Sequence, residues 1–224
     1  MVLSTQNASN DDRDYYVQLA RPLTNVVNLY VLDENNQLLE AYFTGDDFEF
    51  ETRPYKDRKF IFPINFPAKS KRKLIIQTQS DGEILKLPIK FWEVDAFTQF
   101  AIRENFLLGL YYGLFILVLF LFTFFGIALK ERIYFYFTSY VFLLGLFQFS
   151  LDGFAFQYLW PQNPWMGNHA ILIFAALSLL SMIFYVRTYL VYFKRYRAYE
   201  KGYPIFIVLT LTSFILSLTS GTVY

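Results

Sequence analysis

Cysteine is absent from the 224 residues, which excludes a disulfide framework and any thiolate-bound metal. There is a single histidine, His169, too few to build a zinc site by itself. Charge is scarce too: 17% of residues are Asp, Glu, Lys or Arg, against roughly 25% in ordinary soluble domains. A net charge of +1 leaves no basic face to replace phosphate counterions, so nucleic acid is not an expected partner. The chain lacks a glycine-rich phosphate loop, a nucleophile elbow and a His-Glu-x-x-His run, so neither enzymatic activity nor a cofactor or metal is expected. Residues 1–30 also lack the basic, apolar and small-residue regions of a secretory leader.

What is present is apolar. Hydrophobic residues make up 55% of the chain and aromatic ones 21%, including 27 Phe and 18 Tyr. Most of the charge precedes Glu104, and apart from Asp152 the rest gathers at Lys130–Arg132 and Arg187–Lys201, so the chain reads as bipartite. Residues 106–129, 133–151, 168–186 and 203–221 form four apolar stretches without a formal charge. The first, at 1.5 Å per residue, spans roughly 36 Å as a helix, enough for a bilayer core. Pro161 and Pro164 break the start of the third, and Pro204 sits where a first helical turn tolerates it. Backbone in lipid must satisfy itself, by helices or by a closed barrel. Runs such as 115–122, Phe-Ile-Leu-Val-Leu-Phe-Leu-Phe, do not alternate as barrel strands do. A four-helix membrane bundle over 106–224 is the expectation.

Loop charges orient it. Lys130 and Arg132 lie between the first two spans, and Arg187, Lys194, Arg195, Arg197 and Lys201 between the last two, whereas the middle loop carries no Lys or Arg. By the positive-inside rule the basic turns face the cytoplasm, and the Trp160–His169 loop and the N-terminal half lie outside. Tyr111, Tyr112, Tyr158, Trp160 and Trp165 then fall at headgroup depth.

Residues 1–92 read as an all-β sandwich with short strands at 15–20, 26–32, 38–44, 60–66, 73–78 and 84–91. In the last, Leu85, Leu87, Ile89 and Phe91 alternate with Lys86, Pro88 and Lys90, and the proline suggests an edge. Asp33–Asn36 and Ser80–Glu83 are turn signals, implying antiparallel hairpins. Residues 93–105 contain neither Gly nor Pro and can run as a helix into the first span.

Candidate sites are few. Asp152 and His169 flank the outer loop; an acid and a base there can shuttle protons or hold a ligand, although capping of wet helix ends is the plainer reading. Gly109 and Gly113 have the spacing that lets helices approach closely, for packing within the bundle or for a homodimer. Tyr42, Phe48 and Trp92 can offer a stacking platform to a sugar or serve as core. The basic cluster from Lys194 can meet anionic lipid, which the positive-inside rule already explains.

Certain runs resemble a known family. Leu108-Gly109-Leu110-Tyr111-Tyr112-Gly113, Lys130-Glu131-Arg132-Ile133-Tyr134-Phe135-Tyr136 and Leu151-Asp152-Gly153-Phe154-Ala155-Phe156-Gln157-Tyr158-Leu159-Trp160-Pro161 resemble the bacterial seven-transmembrane receptors with diverse intracellular signalling modules. Thr44-Gly45-Asp46, Arg53-Pro54, Phe60-Ile61-Phe62-Pro63 and Leu87-Pro88-Ile89-Lys90-Phe91-Trp92 resemble the second class of extracytoplasmic domain in such receptors. The resemblance implies a jelly-roll-like periplasmic sensor for carbohydrate or another small ligand. It also implies a seven-helix bundle in the inner membrane and a cytoplasmic effector such as a histidine kinase or diguanylate cyclase. With four spans and no effector, the chain is then expected to be a fragment lacking a leader and first strands upstream and three helices downstream. The competing readings are a membrane scaffold that senses nothing and an intramembrane enzyme using Asp152 and His169.

Overall fold

The computed structural model describes residues 1–80, 88–192 and 202–219. They form two compact units, one comprising 1–104 with 151–168, the other 105–150 with 169–224.

The first unit holds seven strands: β1 (Val2–Gln6), β2 (Arg13–Leu19), β3 (Val26–Leu32), β4 (Leu38–Thr44), β5 (Phe60–Phe66), β6 (Lys71–Gln79) and β7 (Ile89–Glu93). They make two antiparallel sheets, β1-β6-β3-β4 and β5-β2-β7. Period-two alternation explains the core. Val27, Leu29 and Val31 from β3 turn inward with Leu74 and Ile76 from β6, and they meet Val17, Leu19, Phe62, Ile64 and Phe66 from the other sheet. Each such side chain contributes about 1.5–3 kcal/mol on burial. Both prolines of the second sheet lie at its margins, Pro63 in edge strand β5 and Pro88 just before edge strand β7, where a missing N–H costs no ladder bond.

Only β3 and β4 form one of the expected hairpins. Asn36 there has φ 60°, and the Asp33 carboxylate accepts from the Asn35 and Gln37 N–H groups at 2.8 and 2.7 Å. The other expected hairpin is not formed, because β6 and β7 belong to different sheets; its turn and the residues 84–87 of the expected last strand lie outside the described residues. The chain switches sheet at most connections, as a jelly-roll-like sandwich does.

The helices are α1 (Val94–Leu129), α2 (Arg132–Leu151), α3 (Phe154–Tyr158), α4 (Pro164–Tyr192) and α5 (Tyr203–Thr219). Of these, α1, α2 and α4 are long and apolar enough to cross a membrane. The fourth expected span is the apolar 17-residue α5. Helix α4 starts before the expected residue 168. Pro164 occupies its first position rather than breaking it, and the Asn163 side chain caps it by accepting the Met166 N–H at 3.1 Å.

In the second unit, aromatic rings interleave the helices. Phe122 packs on Phe137 at 4.3 Å and Tyr112 on Phe149 at 5.2 Å between α1 and α2, and Phe137 meets Tyr185 of α4 at 5.3 Å. Phe120, Phe124 and Ile127 remain 73%, 63% and 65% exposed, as lipid-facing side chains do. Gly109 and Gly113 do not pack against another helix among the described residues. A Cβ at either position would meet nothing within 4 Å among the described residues.

Candidate functional site

Between the edge of β1 and the second sheet lies an open cavity of about 390 Å³, lined by Gln6, Ser9, Arg13, Tyr15, Phe66 and Phe91 among others. That is within the usual range for small-molecule sites. Phe91 continues the inward row of β7, opposite Val17 of β2, yet at the sheet margin it stays 43% exposed. The ring therefore faces the cavity instead of being covered by core, as the alternating pattern had implied. Tyr15 packs edge-on against Phe66 at 5.8 Å. Arg13 lies 3.6 Å from Glu93 with its side chain half exposed. The cavity thus offers aromatic faces beside a cation and neutral polar groups, a combination suited to a polar ligand with apolar faces.

Of the residues expected to form a sugar platform, Trp92 lies on the opposite face of the second sheet. It stacks on Phe100 at 4.8 Å, and its indole N–H donates to the buried Gln18 side chain at 2.8 Å. Tyr42 packs on Phe62 at 5.6 Å, and its hydroxyl donates to Glu40 at 2.8 Å. Burial, reinforced by Glu40, pushes that phenol up to about 12. Phe48 is 38% exposed in the loop after β4. The three share no ring contact or hydrogen bond among the described residues. Asp152 falls in the first unit and His169 in the second; the Asp152 carbonyl accepts from Arg58 at 3.1 Å, and His169 is buried.

The basic turns are only partly described. Lys130, at φ 55°, breaks the chain between α1 and α2, and Arg132 opens α2. The Arg187 guanidinium stands 4.8 Å over the Tyr203 ring. Lys194, Arg195, Arg197 and Lys201 lie outside the described residues.

A buried charge cluster organises the loops after β4. Asp46 and Arg53 pair at 3.0 Å with side chains 6% and 2% exposed. The second Asp46 oxygen accepts the Thr24 N–H at 2.8 Å. Arg53 also donates to the carbonyls of Asp57 and Arg58 at 3.0 and 2.6 Å, and lies over the rings of Phe60 and Phe50 at 4.2 and 4.8 Å. Its Nε is buried without a hydrogen-bond partner among the described residues. Burial pushes the Asp46 carboxyl up to about 7 against the pull of Arg53 and the Thr24 N–H, and it lowers the Arg53 guanidinium. Gly45, at φ +151°, is required here because a Cβ would sit 1.9 Å from the Asn25 carbonyl oxygen. The runs Thr44-Gly45-Asp46 and Arg53-Pro54 are thus structural.

The family comparison fits this architecture piece by piece. The model for "7TM diverse intracellular signalling" matches residues 104–224, and the model for "7TMR-DISM extracellular 2" matches residues 1–93. The chain belongs to the 7TMR-DISM family. As a 7TMR-DISM member it is a membrane protein with an N-terminal extracellular domain, in a family of receptors rather than enzymes. No curated protein and no solved structure gives a significant match.

Proposed function

We propose that this 7TMR-DISM chain is the sensing part of a receptor in a bacterial inner membrane. Its extracellular sandwich takes up a small ligand, carbohydrate first among the candidates. The helices relay that event to a cytoplasmic effector of the histidine kinase or diguanylate cyclase kind. The observation that carries the reading is the pairing of an extracellular-domain match with a transmembrane-domain match in one chain. The cavity beside Arg13, Tyr15 and Phe91 supports a ligand site at the margin of the sandwich, away from Tyr42 and Trp92.

All three tryptophans, Trp92, Trp160 and Trp165, belong to the first unit, so intrinsic fluorescence of the full chain reports that unit. Thermal unfolding followed this way, against a library of sugars and related molecules, should reveal a ligand that stabilises the unit by about 2.7 kcal/mol at a hundred times its dissociation constant. Phe91→Ala should abolish the shift while leaving ligand-free stability close to wild type. A clean negative across the library would favour the scaffold reading.

A further inference from the structure

The loop joining α2 to α4 is built into the extracellular unit, and it is tied there along its whole length. At its start, the Asp152 carbonyl accepts from the Arg58 guanidinium at 3.1 Å. In the middle, the Phe50 N–H donates to the Pro161 carbonyl at 2.8 Å. At its end, the Asn168 side-chain amide donates to Asp47 at 2.6 Å.

Between these ties the contacts are aromatic. Phe156 is 4% exposed, edge-on to Phe50 at 5.9 Å and 5.7 Å from the Arg53 guanidinium. Arg58 lies 5.0 Å over Phe154. Two glycines permit this seat. Gly153 has φ +81°, and a Cβ there would stand 2.9 Å from Pro22 and 3.2 Å from the Arg58 carbonyl oxygen; one at Gly167 would stand 3.1 Å from Phe156. The unit takes in residues 151–168, and so includes the last residue of α2 and the first turn of α4.

We propose that this loop is a clasp through which the extracellular domain holds the outer ends of α2 and α4, so that a change of state in the domain is imposed on those two helices. The receptor reading gives the clasp its purpose. The two α2 and α4 ends are the only points of those helices that the unit contains, and Asp47, Arg53 and Arg58 are among the sandwich-loop side chains that reach the clasp. Arg58 also pairs with Glu104 at 2.9 Å, and Lys59 does so at 2.6 Å, so the same short segment reaches α1 as well.

Hydrogen exchange on the full chain in lipid nanodiscs tests this without any ligand, so a failed ligand search and a failed clasp are separate results. In Gly153→Val, amides of 151–168 and the outer ends of α2 and α4 should exchange about tenfold faster or more, while β3 and β5 keep wild-type protection. If Gly153→Val loses protection in β3 and β5, Asn168→Ala, which removes one tie without a clash, is read by the same criteria. Unchanged exchange in the loop would overturn the clasp. A loosened loop with unchanged helix ends would overturn the transmission.

Discussion

Asp46 is the residue whose environment makes the sharpest demand. Its ordinary carboxyl value is near 3.9, whereas burial raises it to about 7 in the folded protein. Between about pH 4 and about pH 7 the folded state therefore holds a proton that the unfolded state has released. The stability this contributes is complete below the lower value and is lost as pH rises through the upper one. Urea unfolding of the full chain, followed by tryptophan fluorescence from about pH 5 to about pH 8, should show stability of the extracellular unit declining with pH. Asp46→Asn should flatten that decline, and a slope unchanged in the variant would mean that another group titrates. Little of this was legible beforehand. The run Thr44-Gly45-Asp46 stood out as a family signature, but its reason is the Arg53 pair and the Asn25 carbonyl beside Gly45, partners that lie elsewhere in the sequence.

At the scale of elements, strands β3, β4 and β5 span the expected residues 26–32, 38–44 and 60–66. Alternation marks β3, where Val27, Leu29 and Val31 are buried, whereas β4 is exposed along most of its length. β1 went unseen because it is a five-residue edge strand with Val2 56% exposed, so no inward row marks it. The five-residue α3 is too short to show a helical period. The β6–β7 hairpin was expected from the turn signal at Ser80–Glu83, and the sandwich defeats it by sending the two strands to different sheets. The cavity was invisible for the same reason, since its lining comes from β1, β2, β5, β7 and the loop after β1. The division of faces gives a direct test in the first sheet. Leu29, fully buried on β3, should cost about 2–5 kcal/mol as Leu29→Ala. Leu39, 46% exposed on edge strand β4, should cost within about 0.5 kcal/mol as Leu39→Ala. Urea unfolding read by tryptophan fluorescence separates the two, and equal costs would contradict the assigned faces.

The whole molecule joins an extracellular β domain to membrane helices, and composition alone announced that division. What composition did not announce is that the loop between α2 and α4 belongs with the sandwich. Its ties run from Asp152, Pro161 and Asn168 to Arg58, Phe50 and Asp47, residues about a hundred positions away in sequence. The central claim is that this loop and the sandwich face outward while the basic turns face the cytoplasm, as a receptor requires. Because the protein has no cysteine, single cysteines can be placed at will. In intact cells expressing the chain, a membrane-impermeant maleimide should label Gln162→Cys without permeabilisation and Lys130→Cys only after it. The reverse pattern, with Lys130→Cys labelled from outside and Gln162→Cys protected, would contradict the receptor account.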